Sequence, residues 1–197
     1  MAVNVEELSG IAAQREPYLG QLNRLKKLNK QTSCVEAAVS GACETLRAGT
    51  SSFVIYGEPQ SGKTEMMICL TAKLLDDGNR VIIHLLNDSV QLLQQNLDRF
   101  QRSNVSPAAR NFSDVIDPEY SFATGFHVIF CEKNANDLAK LNQKLKSSVR
   151  PLRFSCALGA TLAAAVLPTR IRATLTTRHE SSFDTGSTRM RVVSWRL

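Results

Sequence analysis

Short apolar runs alternate with segments of helical periodicity through the middle of the chain. The runs are rich in β-branched and aromatic residues and are bounded by turn residues, which predicts buried strands at 52–56, 80–86 and 126–131. An amphipathic segment follows each run and predicts a helix, at about 65–75, 90–100 and 134–146. Strand and helix alternating in this way predict an α/β fold with a parallel sheet flanked by helices.

Two further helical segments precede the first strand. Residues 1–31 are polar, with leucines at three-residue spacing and Lys or Arg between them, so this segment either exposes a solvated face or contacts nucleic acid. Cys34–Arg47 carries an apolar stripe, and Ser33 is its predicted N-cap. Residues 103–123 are rich in Pro, Asn, Ser and Asp and predict a loop.

A glycine-containing loop joins the first strand to the helix after it. The loop and the start of the helix match the pattern G-x-x-x-x-G-K-T, with the residues Gly57, Glu58, Pro59, Gln60, Ser61, Gly62, Lys63 and Thr64. This is the phosphate-binding pattern of P-loop proteins, in which backbone N–H groups and the positive end of the helix dipole face phosphate oxygens. Lys63 would bind the β- and γ-phosphates, and the Thr64 hydroxyl would bind Mg²⁺.

The composition excludes several other classes of protein. With 43% hydrophobic and 21% charged residues, the chain has the composition of an ordinary globular protein. Its five cysteines show neither a CxxC pair nor zinc-site spacing, and the N-terminus lacks a signal peptide. No apolar run reaches the ~18 residues that a membrane span needs. We therefore expect a cytoplasmic protein with reduced thiols and no membrane segment.

The charge is unevenly distributed along the chain. Residues 1–150 contain 17 Lys and Arg against 16 Asp and Glu, whereas residues 151–197 contain 7 Arg, no Lys and 2 acids. We divide the chain into an N-terminal helical segment at 1–31, a P-loop domain at 32–150 and an Arg-, Thr- and Ala-rich tail at 151–197. The tail shows no amphipathic pattern that would continue the sheet.

Residues 51–146 resemble the first RecA-like lobe of superfamily 2 helicases and of related restriction or phage-defence ATPases. The segments that carry the resemblance are GEPQSGKT, VIIHLLNDSVQLLQQNLDRF and VIFCEKNANDLAKL. The resemblance implies a RecA-like parallel sheet, ATP and Mg²⁺ as ligands, and nucleic acid, most plainly DNA, as a partner. It also implies nucleic-acid contacts after the second and third strands, at Asn87, Asp88, Ser89, Gln95, Lys133 and Asn134. Gln31 is similar to the adenine-contacting glutamine of the family.

The chain departs from this family after its third strand. ATP hydrolysis in the family requires a carboxylate pair at the end of a later strand, but residues 150–158 contain no acid. Glu132, at the end of the third strand, is the nearest candidate Mg²⁺ ligand. We expect the family pattern to stop near Pro151, through truncation or a shifted reading frame, which would leave the lobe incomplete. The alternative is a genuine extension with Met190–Trp195 as an added strand.

The leading functional hypothesis is the ATP-binding lobe of a helicase-like, nucleic-acid-dependent ATPase, with Lys63 and Glu132 as candidate catalytic residues. One alternative is a nucleotide-binding adaptor that does not hydrolyse ATP. The other is a small P-loop kinase, which is disfavoured because neither an arginine-bearing lid nor an acceptor-orienting carboxylate is evident. His84, Cys69 and Met66 lie in apolar surroundings and are predicted core residues.

Overall fold

The computed structural model describes residues 16–48, 52–57, 62–86, 89–146, 154–159, 163–165, 177–185 and 188–196. The helices in these ranges are α1 (Pro17–Lys27), α2 (Ser33–Arg47), α3 (Lys63–Asp76), α4 (Val90–Arg102), α5 (Phe112–Val115) and α6 (Ala135–Lys146). The strands are β1 (Ser52–Gly57), β2 (Val81–Leu86), β3 (Arg110–Asn111), β4 (His127–Glu132), β5 (Phe154–Gly159), β6 (Ala163–Ala165), β7 (Thr177–Thr185) and β8 (Thr188–Arg196). The three predicted strand–helix units are confirmed, with ends close to the predicted ones.

The central sheet is built on three parallel strands of six residues each. β2 lies in the middle, with Val81 opposite His127 of β4 on one side and opposite Phe154 of β5 on the other. The short β3 pairs parallel with β4, and β6 pairs antiparallel with β5, so the strand order is β3-β4-β2-β5-β6. The prediction of an α/β fold with a parallel sheet flanked by helices is confirmed.

Alternate residues of β2 and β4 enter two separate cores. On one face, apolar residues of α1, α2, α3 and α4 cover the side chains of Ile82, Leu86, Val128 and Phe130. On the other face, residues of α5, α6 and the connection before β4 cover those of Val81, Ile83, Ile129 and Cys131. Because both faces are covered, both strands are apolar almost throughout, which is the usual state of a parallel sheet. None of the helices in the described ranges has the length and apolar character to cross a bilayer.

The N-terminal helices close one side of the first core. The predicted apolar stripe of α2 is buried, at Val35, Ala38, Val39 and Ala42. The prediction that Ser33 caps this helix is wrong, because Thr32 is the N-cap residue and its side chain makes no capping bond. The N–H of Glu36 donates to the carbonyl of Thr32 at 2.8 Å, so the first turn begins one residue earlier than the pattern indicated.

The connection between α4 and β4 contains more regular structure than predicted. β3 and α5 lie within the segment predicted to be a loop, and Asn111 accepts a hydrogen bond from the N–H of Ser113 at 3.1 Å to begin α5. Elements of two and four residues are too short to produce a periodic pattern, so they could not be detected in the sequence.

The strand before the phosphate loop is not hydrogen-bonded to the described parallel strands. β1 pairs antiparallel with β8, which pairs in turn with β7, and β1 also lies against β6. The tail was not expected to continue the sheet, yet it supplies β5 to β8, and Met190–Trp195 lies within β8. Strands pair through backbone N–H and C=O groups, which do not depend on the side-chain pattern. The tail can therefore form strands although its sequence is not amphipathic.

Candidate functional site

The predicted phosphate loop lies between β1 and α3. β1 ends at Gly57 and α3 begins at Lys63, while residues 58–61 lie outside the described ranges. Gly62 is the N-cap of α3 and has φ +79° and ψ +24°, in the left-handed region. A Cβ at this position would meet no atom within 4 Å, so the backbone conformation and not the space favours glycine here.

Lys63 and Thr64 form the first turn of α3. Both residues are half-buried, at the end of the helix where unpaired N–H groups and the dipole favour anions. The Thr64 hydroxyl accepts a hydrogen bond from Nη1 of Arg99 at 3.2 Å. Arg99 belongs to α4, so two helices meet at the hydroxyl that was predicted to bind Mg²⁺.

Glu65 joins the N-terminal segment to the same turn of α3. Its carboxylate accepts hydrogen bonds from Lys30, at 2.9 Å, and from Arg24. Partial burial alone would raise the pKa of Glu65, but the hydrogen bonds and charges of Lys30 and Arg24 outweigh it, so the pKa lies below its ordinary value. Gln31 directly follows Lys30 and is exposed, which places this predicted adenine contact close to the first turn of α3.

We call the first turn of α3 and the side chains that contact it the phosphate-loop corner, and the net charge of this corner follows from these contacts. Four cationic residues are gathered around the first turn of α3, and in the described ranges Glu65 is the carboxylate that pairs with two of them. The cations are Arg24, Lys30, Lys63 and Arg99. An excess of positive charge beside a helix N-terminus suits a ligand with several negative charges. The residues present therefore fit a triphosphate.

Three of the six predicted nucleic-acid contacts, Ser89, Lys133 and Asn134, follow the carboxyl ends of β2 and β4, while Asn87 and Asp88 fall outside the described ranges. Ser89 caps α4 by accepting from the N–H of Leu92 at 3.4 Å. Asn134 exchanges hydrogen bonds with Asp137 in the first turn of α6, at 2.7 and 2.9 Å. Gln95, on α4, and Lys133, after β4, are exposed. Ser89 and Asn134 thus begin helices, and Gln95 and Lys133 face solvent.

Glu132, the predicted Mg²⁺ ligand, is half-buried at the end of β4, opposite Leu86 of β2. β4 and β1 belong to different sheets, since β1 pairs with β8. The role of Glu132 as a ligand to a metal ion held by Thr64 stays a prediction. No group of three or more His, Cys, Asp or Glu in the described ranges could hold a metal, although a P-loop Mg²⁺ is bound mainly by phosphate and water.

The predicted core residues are buried. Cys69 and Met66 are fully buried on α3, and burial raises the pKa of Cys69 to about 12, so its thiol stays protonated at neutral pH. His84 is also fully buried, stacked on Phe130 with ring centroids 4.6 Å apart. Burial lowers the pKa of His84 to about 3, which makes it neutral.

The hydrogen bonds of His84 define its tautomer. Thr71 donates its hydroxyl proton to the carbonyl of Met67 at 2.8 Å, so its oxygen accepts from Nε2–H of His84 at 3.1 Å. The Nδ1 atom of His84 is buried and has no hydrogen-bond partner among the described residues. The ring therefore packs as an aromatic residue of the core and carries no catalytic contact.

A second polar cluster lies at the opposite, amino end of the strands. Arg80 donates to three carbonyls in the connection before β4, those of Phe122, Ala123 and Gly125, at 3.0–3.3 Å. His127 donates Nε2–H to the carbonyl of Thr124 at 3.0 Å, so its Nδ1 accepts from the hydroxyl of Tyr120 at 2.6 Å. Burial, with the charges of Arg80 and Arg110, lowers the pKa of His127 despite its bond to Thr124.

The cations that reach the first turn of α3 from other elements were not identified from the sequence. Arg24, Lys30 and Arg99 occur among many other basic residues on polar helix faces, and nothing in their spacing marks them. Their common feature, contact with the first turn of α3, exists only in the folded chain. Comparison of the chain with protein-family models, with curated proteins and with solved structures finds no match.

Proposed function

We propose that this chain binds a nucleoside triphosphate, ATP, together with Mg²⁺ at residues 57–64. The observation that carries the proposal is the motif in its structural setting: a strand ends at Gly57, Gly62 adopts a left-handed conformation, and a helix begins at Lys63. In this proposal the backbone N–H groups of the loop and Lys63 bind the phosphates, and the Thr64 hydroxyl binds Mg²⁺. The bound Mg²⁺ would neutralise phosphate charge.

The test is a titration calorimetry measurement of Mg·ATP binding by the wild-type chain and by Lys63→Ala. We expect the variant to lose detectable binding while its circular dichroism spectrum stays unchanged, because alanine is a strong helix former at the start of α3. Lys140→Ala is the matched control, since Lys140 lies on α6, its Nζ approaching Asp137 only to 4.0 Å. Equal ATP affinity in Lys63→Ala and the wild type would refute the proposal.

We further propose that this nucleotide site belongs to a helicase-like lobe of RecA type, which acts on DNA in restriction or phage defence. Two features support it: parallel strands flanked by helices, and the exposed residues Gln95 and Lys133, from the segments that follow β2 and β4. Phosphate release measured with and without single- and double-stranded DNA tests this. Stimulation by DNA supports the helicase-like assignment, and turnover that ignores DNA counts against it.

One observation favours a second candidate, a nucleotide-binding adaptor without turnover. β5 pairs directly with β2, yet residues 154–159 contain no Asp or Glu, and Glu132 ends β4, which belongs to a different sheet from β1. If no carboxylate reaches the water that attacks the γ-phosphate, the site would bind ATP without hydrolysing it. Tight Mg·ATP binding without phosphate release, in the presence or absence of DNA, would select this candidate over the ATPase.

A further inference from the structure

The packing of α3 against α4 brings Arg99 into contact with Thr64. Its Nη1 lies 3.2 Å from the hydroxyl oxygen of Thr64, 35 positions away in the chain. Arg99 is exposed, and Thr64 is half-buried at the helix start. The guanidinium group of α4 therefore reaches the first turn of the helix that follows the phosphate loop.

The Thr64 hydroxyl oxygen that accepts from Arg99 is also the oxygen that was predicted to bind Mg²⁺. A hydroxyl oxygen has two lone pairs, and the N–H of Arg99 occupies one of them. Mg²⁺ would bind the same oxygen through a lone pair, and two cations at one oxygen repel each other strongly at short distance. Arg99 and Mg²⁺ would therefore compete for the Thr64 oxygen, and the phosphate oxygens of a bound nucleotide would offer the displaced guanidinium another acceptor.

Arg99 differs from the neighbouring cations in its partner. Arg24 and Lys30 are paired with the carboxylate of Glu65. Within the described ranges, Arg99 forms no ion pair, and its described hydrogen bond is to a neutral hydroxyl. Its charge is therefore uncompensated by those residues, and its planar fork of N–H donors matches phosphate oxygens.

We propose that Arg99 is a phosphate-contacting residue, supplied from within the same lobe, which exchanges the Thr64 hydroxyl for a γ-phosphate oxygen when Mg·ATP binds. This inference rests on the proposed nucleotide site at residues 57–64. The exchange places Arg99 among the residues that distinguish a triphosphate from a diphosphate.

The experiment measures the affinities of ATP and ADP, each with Mg²⁺, for the wild type, Arg99→Ala, Arg99→Lys and the control Arg102→Ala. Arg102 is an exposed arginine on the same helix, one turn further along. We expect Arg99→Ala to weaken Mg·ATP binding about tenfold, the loss of one charge-assisted hydrogen bond, and to weaken Mg·ADP binding much less. Arg99→Lys keeps the charge without the fork and should recover part of the loss.

The outcomes separate this inference from the proposed function. If Lys63→Ala abolishes ATP binding but Arg99→Ala binds ATP as well as the wild type or more tightly, Arg99 does not contact phosphate and the inference fails alone. An equal loss for ATP and ADP overturns the γ-phosphate assignment. If the wild type does not bind ATP, the proposed function fails and the inference falls with it.

Discussion

Two arginines, one before β2 and one on α4, use the same side chain in different ways. Arg80 stands before β2 and donates to three backbone carbonyls of one connection. Arg99 stands near the carboxyl end of α4, and its described bond is to one hydroxyl, that of Thr64. Carbonyls in a fixed loop cannot be exchanged without moving the backbone, whereas a contact with a hydroxyl can be replaced by a ligand at little cost.

Arg80 belongs to a structural cluster at the amino ends of the strands, whereas Arg99 belongs to a candidate ligand-binding corner at the start of α3. At the amino end, Arg80 and His127 donate to backbone carbonyls of residues 122–125, and the Tyr120 hydroxyl donates to His127. At the phosphate-loop corner, positive charge exceeds the negative charge of Glu65 in the described ranges. We expect changes at the first end to alter stability without altering nucleotide affinity, and changes at the second to do the reverse.

Acidification should have the largest effect, and it should act on the core and the amino end first. The pKa of His84 is about 3 in the folded chain against 6.5 when unfolded, so its contribution to stability is full above pH 6.5 and is lost as the pH falls toward 3. The loss is about 1.4 kcal/mol per pH unit, or about 3 kcal/mol at pH 4. The pKa of His127 is also lowered, so its effect has the same sign.

Chemical denaturation of the wild type and His84→Leu at pH 7, 5 and 4 measures this effect. The leucine variant should lose much less stability with acid, since Thr71 keeps its bond to Met67 and the residual slope comes from His127 and the carboxylates. The pKa of Glu65 lies below its ordinary value of 4.5, so its stabilising contribution is present above that pH and is lost only below it. Parallel pH profiles for the two proteins would show that His84 does not control the acid response.

Replacing Arg80 should have the next largest effect. Arg80→Ala removes three hydrogen bonds to carbonyls from a partly exposed charged group, and we expect a loss of about 2 kcal/mol in the free energy of unfolding. Hydrogen exchange should increase in residues 120–126, while Mg·ATP affinity stays as in the wild type. Arg102→Ala serves as the control for losing an exposed arginine. A marked drop in ATP affinity in Arg80→Ala would break the distinction between the two ends.

The smallest effect is expected from Glu65→Gln, at the phosphate-loop corner. Its ion pairs with Arg24 and Lys30 are partly exposed, so their loss should cost under about 1 kcal/mol of stability. Removing the negative charge should strengthen ATP binding about twofold to threefold, because Arg24 and Lys30 then act on the phosphates alone. Glu119→Gln, on the exposed connection at the other end, is the control. Weaker ATP binding in Glu65→Gln would show that its carboxylate is needed to position the two cations.

The strands, helices and sheet core could be predicted because each depends on local periodicity and apolar content. β2 and β4 are apolar because both faces of the sheet are covered, so their continuous apolar runs predict buried strands. The pairing of β1 with β8 and of β5 with β2 could not be predicted, since backbone hydrogen bonds leave no mark on the side-chain pattern. The cap at Thr32 was missed because a shift of one residue leaves the apolar stripe of α2 unchanged.

The sequence by itself determined a pattern of the phosphate-loop type between a strand and a helix, the α/β class, and the burial of His84. Only the tertiary structure decided which residues from other elements reach that motif. Arg24, Lys30 and Arg99 meet the first turn of α3 because α1 and α4 pack against one core with it. Such a meeting depends on how helices far apart in the chain pack together, and no local pattern of residues encodes it.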